Sequence, residues 1–244
     1  MIYFASDLHL GAPNYAQSRQ REARFLAWLD HIRPTAEALY IVGDLFDFWF
    51  EYREVVPKGY VRTLGRLADW TDAGIPVHFF TGNHDLWTSN YLTQEIGVLL
   101  YRQPIITTIG QKKLLVGHGD GLGPGDTGYK LMKRFLFLNP ICQTLLYALH
   151  PDIGIGIANY FSRRSRLVTG NADDHFKGND QEWLVQYALR KLEAQHIDYF
   201  IFGHRHLPLQ IALTENSTYI NLGDWIKYHS YATFDGQNAQ LCYF

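Results

Sequence analysis

Apolar residues fall in bursts along this chain. Short runs rich in β-branched and aromatic side chains recur at Ile2 to Ala5, Leu39 to Val42, Val77 to Phe80, Leu114 to Val116 and Tyr199 to Phe202, with the length and composition of buried strands. Between or after them, Ser18 to His31, Gly59 to Asp72 and Gln181 to Gln195 carry apolar residues at helical spacing. From Leu209 onward the rhythm changes to strand-like runs divided by turn signals at Glu215-Asn216-Ser217 and Asp235-Gly236-Gln237. Strands alternating with helices predict an α/β fold, and the strand-rich tail fits a sheet-on-sheet core flanked by helices. One segment stands outside this order. Residues Gly121 to Asn179 open on Gly121-Leu122-Gly123-Pro124-Gly125, close on a polar stretch, and enclose an apolar helix-like run that no neighbouring strand requires. We read it as an insertion into a single domain.

Composition narrows the function classes. The 244 residues carry 22 basic and 24 acidic side chains, so no global field points to nucleic acid as a partner. Two cysteines, Cys142 and Cys242, make neither a disulfide framework nor a thiolate metal site. They fit a reducing compartment. The chain begins directly on a strand-like run without the features of a signal peptide, which predicts a cytoplasmic location. Even its most apolar region is broken by Lys133, Arg134, Asn139, Pro140 and Gln143, short of the roughly 18 uninterrupted apolar residues of a spanning helix.

The candidate chemistry sits where the predicted strands end. Asp7 and His9 follow the first, Asp44 and Asp47 the second, Asn83, His84 and Asp85 the third, His118 the fourth, and His204 and His206 the fifth. Side chains at the carboxyl ends of adjacent strands converge on one crevice. Residues i and i+2 on an extended chain project to one side, so Asp7 with His9, and His204 with His206, can share a pocket. Glycines before Asp44, Asn83, His118 and His204 permit sharp turns and close approach. Oxygen and imidazole ligands without thiolate suit Mn, Fe or Zn, with Mn the first choice.

Taken in order, Asp-x-His, Gly-Asp-x-x-Asp, Gly-Asn-His-Asp, a later His and Gly-His-x-His resemble the signature of the calcineurin-like metallophosphoesterases, and they span Asp7 to His206. The resemblance implies a two-sheet sandwich flanked by helices (α/β/β/α). It also implies two divalent cations, one held by Asp7, His9, Asp44 and His206, the other by Asp44, Asn83, His118 and His204, with Asp44 bridging. Such a centre neutralises phosphoryl oxygens and activates the attacking water. His84, outside both ligand sets, would contact the phosphate or protonate the leaving oxygen, and Asp85 would orient it. Asp47 reads as a supporting or turn carboxylate, and Asp120 is similarly placed. Arg205 either reaches substrate phosphate or is an ordinary exposed arginine. The remaining histidines lack partner spacing. Trp49, Phe50, Tyr52 and Trp87 read as packing residues, with stacking on substrate as the alternative.

A closer resemblance covers nearly the whole chain. Asp-Leu-His-Leu at 7–10, Gly-Asp-Leu-Phe-Asp at 43–47, His-Gly-Asp at 118–120 followed by the insertion, and Leu-Gly-Asp-Trp at 222–225 are similar to the UDP-2,3-diacylglucosamine pyrophosphohydrolases of lipid A biosynthesis. That implies a lipid-linked sugar nucleotide as substrate, cleaved to UMP and 2,3-diacylglucosamine 1-phosphate with manganese, and peripheral contact with the cytoplasmic face of the inner membrane. The insertion would then be a helical lid over the acyl chains, with Phe135, Leu138 and Leu145 among its substrate contacts. Arg163, Arg164 and Arg166 at its far end would hold phosphate or an anionic surface, or form a solvated charge run. A structural subdomain or a dimer interface is the plainer reading of the same segment. One departure matters, because His84 stands where the best-known members carry arginine. Two alternatives follow: a lid-bearing relative acting on another phospholipid or nucleotide, and a non-catalytic metal-bound scaffold.

Overall fold

The computed structural model describes residues 1–123, 127–157, 175–176 and 178–244. Its first sheet has six strands in the order β11-β10-β1-β2-β3-β4: β1 (Ile2–Ala5), β2 (Ala38–Val42), β3 (Val77–Phe80), β4 (Leu99–Tyr101), β10 (Ser230–Phe234) and β11 (Ala239–Tyr243). The second has five in the order β5-β6-β7-β9-β8: β5 (Ile105–Ile109), β6 (Lys112–Gly117), β7 (Tyr199–Phe202), β8 (Pro208–Thr214) and β9 (Ser217–Leu222). Strands β1 to β4 run parallel, as do β6, β7 and β9, while β10, β5 and β8 pair antiparallel to their neighbours.

Three apolar layers hold the sheets and helices together. Ile2 and Phe4 of β1 face Val116, Ile201 and Ile220 across the space between the sheets. Tyr3 and Ala5 face the other way, toward α1 (Tyr15–Ile32) and α2 (Val61–Asp72). A strand covered on both faces needs no polar alternation, which is why β1 reads as a continuous apolar run. Helix α1 starts where the Asn14 side chain accepts the Gln17 N–H at 3.0 Å, a cap that satisfies one orphan donor. Its Phe25, Trp28 and Leu29 meet Leu67 and Trp70 of α2 over the first sheet. On the far side, Leu184, Val185 and Ala188 of α6 (Trp183–Ala194) cover Phe200, Phe202 and Tyr219 of the second. Burying each leucine- or phenylalanine-sized side chain contributes about 1.5–3 kcal/mol.

The tail behaves in a way its pattern did not specify, since β8 and β9 extend the second sheet while β10 and β11 join the first beside β1. Strands β4 and β5 were not anticipated. The first is three residues long, and the second alternates exposed with half-buried positions through Thr107 and Thr108.

The insertion begins with α4 (Thr127–Met132), a π-helical turn (Lys133–Phe137) and α5 (Pro140–Ala148), with a short α3 (Tyr91–Glu95) preceding it elsewhere in the chain. Asn139 caps α5 by accepting the Ile141 N–H at 2.9 Å, and Pro140 occupies its first turn, where a missing N–H costs nothing. Trp87 Nε1 donates to the Phe137 carbonyl at 2.8 Å and its ring stands edge-on to Phe137. Phe50 packs on Tyr147. The aromatic residues that follow the metal-binding blocks thus seat the insertion. Leu131, Phe135, Leu138, Ile141 and Leu145 remain exposed. Phe161, Arg163, Arg164 and Arg166 lie outside the described residues. Among those described, no helix is long and apolar enough to cross a membrane.

Candidate metal centre

The five blocks meet where the carboxyl ends of two sheets come together. Asp7, Asp44 and Asn83 follow β1, β2 and β3, whereas His118 and His204 follow β6 and β7 of the other sheet. The crevice is therefore shared between sheets and does not lie along one edge. The local conformation also differs from the extended chain expected of Asp7-x-His9 and His204-x-His206. All four residues have left-handed backbones, with φ of 55°, 45°, 68° and 53°, and Asp44 has φ 54°. Each residue turns the chain sharply at a strand end, and that turning aims the side chains inward. Neighbouring glycines leave room: a Cβ on Gly82 would collide with Asp44 Oδ1, and one on Gly203 with Ser6 Oγ and Asp7 Oδ2.

One half of the cluster gathers Asp7, His9 and His206. Asp7 Oδ1 lies 3.7 Å from His9 Nε2 and 3.4 Å from His206 Nε2, and those two nitrogens are 3.2 Å apart. Asp7 Oδ2 accepts the His204 N–H at 2.8 Å and the Ser6 hydroxyl, whereas its Oδ1 is buried and accepts no hydrogen bond. His206 is oriented from behind, its Nδ1 being 3.2 Å from Asp224 Oδ2. The other oxygen of Asp224 accepts the N–H groups of Ile226, Lys227 and Tyr228.

The other half centres on Asn83 Oδ1, 3.2 Å from His118 Nε2 and 3.0 Å from His204 Nδ1. His118 Nδ1–H donates to the Val42 carbonyl at 2.9 Å, which leaves Nε2 facing the cluster. Asp44 lies between the halves. Its Oδ2 is 3.3 Å from His118 Nε2 and 3.6 Å from His9 Nε2, while its Oδ1 accepts the His84 N–H at 2.9 Å. All seven residues expected to hold the cations are brought together.

Burial would raise the carboxyls, but the surrounding imidazoles win. His206, His9 and His118 hold Asp7 down at about 2, and His118 and His84 hold Asp44 well below the usual carboxylate range. Burial opposes charge on His118 too, yet Asp44, Asp7 and Asp120 raise it. Asp85 moves the opposite way, pushed up to about 7 by burial and by Asp44.

Two expectations outside the ligand set are corrected. Asp85 does not orient His84: its oxygens accept the N–H groups of Gly82 at 2.7 Å and Leu45 at 2.9 Å, so it braces the loops that carry Asp44 and Asn83. The orienting contact comes from Asp47, whose carbonyl accepts His84 Nδ1–H at 2.8 Å and whose carboxylate lies 3.5 Å from His9 Nδ1. His84 is held neutral, down at about 4, chiefly by burial. Arg205 forms a two-pronged pair with Glu182, both bonds 2.9 Å, so its charge is already matched. Asp120 accepts the Tyr129 hydroxyl at 2.7 Å and Lys133 Nζ, joining the insertion to the His118 loop. Phe135, Leu138 and Leu145 are exposed on the insertion. Glu182 and the supporting role of Asp224 escaped the sequence reading. The Leu222 to Trp225 motif marked Asp224 without saying what it does.

This donor set fits divalent cations. Two imidazole nitrogens 3.2 Å apart, a buried carboxylate oxygen without a hydrogen bond, and a carboxylate between the halves form an array that positive charge would complete. Residues 1–208 match the family model for calcineurin-like phosphoesterases. A Porphyromonas gingivalis protein named UDP-2,3-diacylglucosamine hydrolase is 42% identical over 98% of this chain and 96% of its own length. Proteins of the same name from Edwardsiella ictaluri and Haemophilus influenzae are 31% identical (98% and 90% covered) and 30% identical (92% and 90% covered). With the five blocks folded into one buried cluster and the family model matched over most of its length, the chain belongs to the calcineurin-like phosphoesterases, as a metal-dependent hydrolase.

Proposed function

We propose that the protein hydrolyses the diphosphate of UDP-2,3-diacylglucosamine, releasing UMP and 2,3-diacylglucosamine 1-phosphate, with manganese as the working metal. The observation that carries this reading is the joining of an oxygen and imidazole cluster, through Asp120 with Lys133 and Trp87 with Phe137, to a helical insertion that exposes Phe135, Leu138 and Leu145. The identity with relatives of that name, sustained along the whole chain, supports the substrate. Asp7, His9, Asp44 and His206 would hold one cation, and Asp44, Asn83, His118 and His204 the other. The cations would supply charge to the phosphoryl oxygens and activate water.

The chain's own residues do the remaining work. His84 packs edge-on against His9, with Nδ1–H fixed on the Asp47 carbonyl, and its imidazole would meet a phosphoryl or leaving-group oxygen. A phosphate placed there would oppose the burial that keeps the imidazole neutral. The insertion, seated on Trp87 and Phe50, would cover the acyl chains, and burying apolar surface at about 25 cal/mol per Å² makes partial enclosure a substantial share of binding. Its exposed apolar face also suits contact with the membrane that holds such a substrate.

The test is incubation of manganese-loaded protein with UDP-2,3-diacylglucosamine and chromatographic analysis for UMP. Release of UMP supports the reading. Turnover of a chromogenic phosphodiester without UMP release would redirect it to another phospholipid or nucleotide, and inactivity on both with every metal tried would leave a scaffold.

A further inference from the structure

Near the end of β9 stands a polar residue that the strand itself does not require. Asn221 is fully buried. Ile220 and Leu222 on either side of it face the space between the sheets, while Tyr219, on the face of Asn221, packs with Phe200 and Phe202 under α6. An amide in such surroundings is costly to bury unless its polar atoms find partners. Here they do: Nδ2 donates to the Gly203 carbonyl at 2.6 Å and to the Tyr219 hydroxyl at 3.3 Å, and Oδ1 accepts the Gly223 N–H at 3.1 Å. A carbonyl can only accept and an N–H can only donate, so the two glycines fix which way the amide points.

Those glycines open two different turns. Gly203 follows β7 and leads into His204 and His206, whereas Gly223 follows β9, with φ 69°, and leads into Asp224. Strands β7 and β9 are parallel neighbours with Phe202 opposite Asn221, so the turns leave the sheet side by side and the amide spans them at their base. The Gly203 peptide is held from its other end too, its N–H donating to the His118 carbonyl at 3.0 Å. Further out the turns meet again where His206 Nδ1 lies 3.2 Å from Asp224 Oδ2. His204 has separate anchors, its N–H on Asp7 Oδ2 at 2.8 Å and its Nδ1 3.0 Å from Asn83 Oδ1. Loosening the base therefore falls chiefly on His206.

We propose that Asn221 is a positioning residue for His206: its amide holds the two turns at the separation that lets Asp224 orient the imidazole, and so tunes the cation that His206 would hold. This rests on the ligand sets proposed above and adds a residue that touches neither cation. The other cation, whose His204 is anchored independently, should feel the amide much less.

The experiment measures Mn²⁺ binding to the full-length chain by chelator competition, resolving the two cations, beside thermal unfolding of the metal-free chain. Asn221→Leu removes both loop bonds at similar size, and Asn221→Ser does so with a smaller side chain should leucine prevent folding. Tyr219→Phe is the control, because it takes away a partner of the same amide and leaves both loop bonds. We expect the Asn221 variants to weaken one cation about tenfold, the scale of losing an outer partner of a ligating imidazole, and the other by less than about twofold. Tyr219→Phe should lower the unfolding temperature and leave both affinities unchanged. Adding Asn221→Leu to Asp224→Asn should weaken binding little beyond Asp224→Asn alone, since residues acting through one contact are not additive. Equal weakening of both cations in step with lost stability overturns the proposal, as do additive losses in the double variant. If wild type binds two cations, Asp224→Asn weakens one and the Asn221 variants bind as wild type, the role of Asn221 fails and the ligand sets stand. Wild-type protein that binds no Mn²⁺ defeats the ligand sets, and the role of Asn221 with them.

Discussion

Asp7, His9, Asp44, His204 and His206 share a left-handed backbone that side chains other than glycine rarely adopt. At about 1–3 kcal/mol each, such a concentration of strain needs compensation, and here it falls on residues whose side chains meet in one cluster. Two substitutions separate binding from chemistry within it. His84 is fixed through its own Nδ1–H and backbone, outside the proposed ligand sets. We expect His84→Ala to keep both metals by elemental analysis and to lose turnover on the order of 10²-fold or more; near wild-type turnover would remove it from the chemistry. Asp224 acts one bond further out, orienting His206 through Nδ1. Asp224→Asn should weaken the metal held by His206 by about 10–100-fold in chelator competition, and unchanged affinity would make Asp224 only a brace for its loop. The ligand blocks were legible because each is a short contiguous motif at a strand end. The partners of Asp85 and Arg205 were not, because Gly82 and Leu45 offer only backbone N–H, and Glu182 lies on another element. Nothing in a local pattern records such pairings.

Among the elements, the insertion carries most of the specificity question. Its base is bonded to the core at Trp87 and Asp120, yet Phe135, Leu138 and Leu145 stay 59%, 51% and 64% exposed. A helix pair serving only as a subdomain would turn such residues inward. We therefore expect the intact enzyme to prefer acylated UDP-glucosamine strongly over its deacylated form. Variants with Phe135, Leu138 and Leu145 made polar should fold, since exposed positions tolerate the change, and should lose that preference while still cleaving a small phosphodiester. Equal kcat/KM on the two substrates in wild type would assign the segment a structural or dimerisation role. The helices that follow the His118 loop were readable from an apolar run with no strand to serve. The π-helical turn of the insertion and its seat on Phe50 and Trp87 were not, since both depend on packing between segments far apart in the chain. The same reason hid β4 and β5, short or alternating strands whose identity comes from their neighbours β3 and β6.

For the molecule as a whole, the centre couples two sheets that elsewhere meet through the apolar layer between them and a few hydrogen bonds such as Leu241 N–H to Gln210 Oε1. Asp7, His9, Asp44 and Asn83 follow strands of the first sheet and His118, His204 and His206 follow β7 or β6 of the second, so a cation held by both favours the arrangement in which the sheets are packed. Unfolding disperses the ligands, and metal binding then stabilises the folded chain by mass action, about 2.7 kcal/mol at a hundred times the dissociation constant. For a chain of this size each kcal/mol moves Tm by about 2–4 °C, which converts to roughly 5–10 °C. We expect chelator-treated protein to gain a shift of that order on adding Mn²⁺ in a thermal-unfolding experiment. Asp44→Ala, which removes the carboxylate lying between the two halves of the cluster, should lose bound metal, activity and the thermal shift together. Retention of two metals per chain, or an undiminished shift in that variant, would place the stabilising cations elsewhere and refute Asp44 as the bridge.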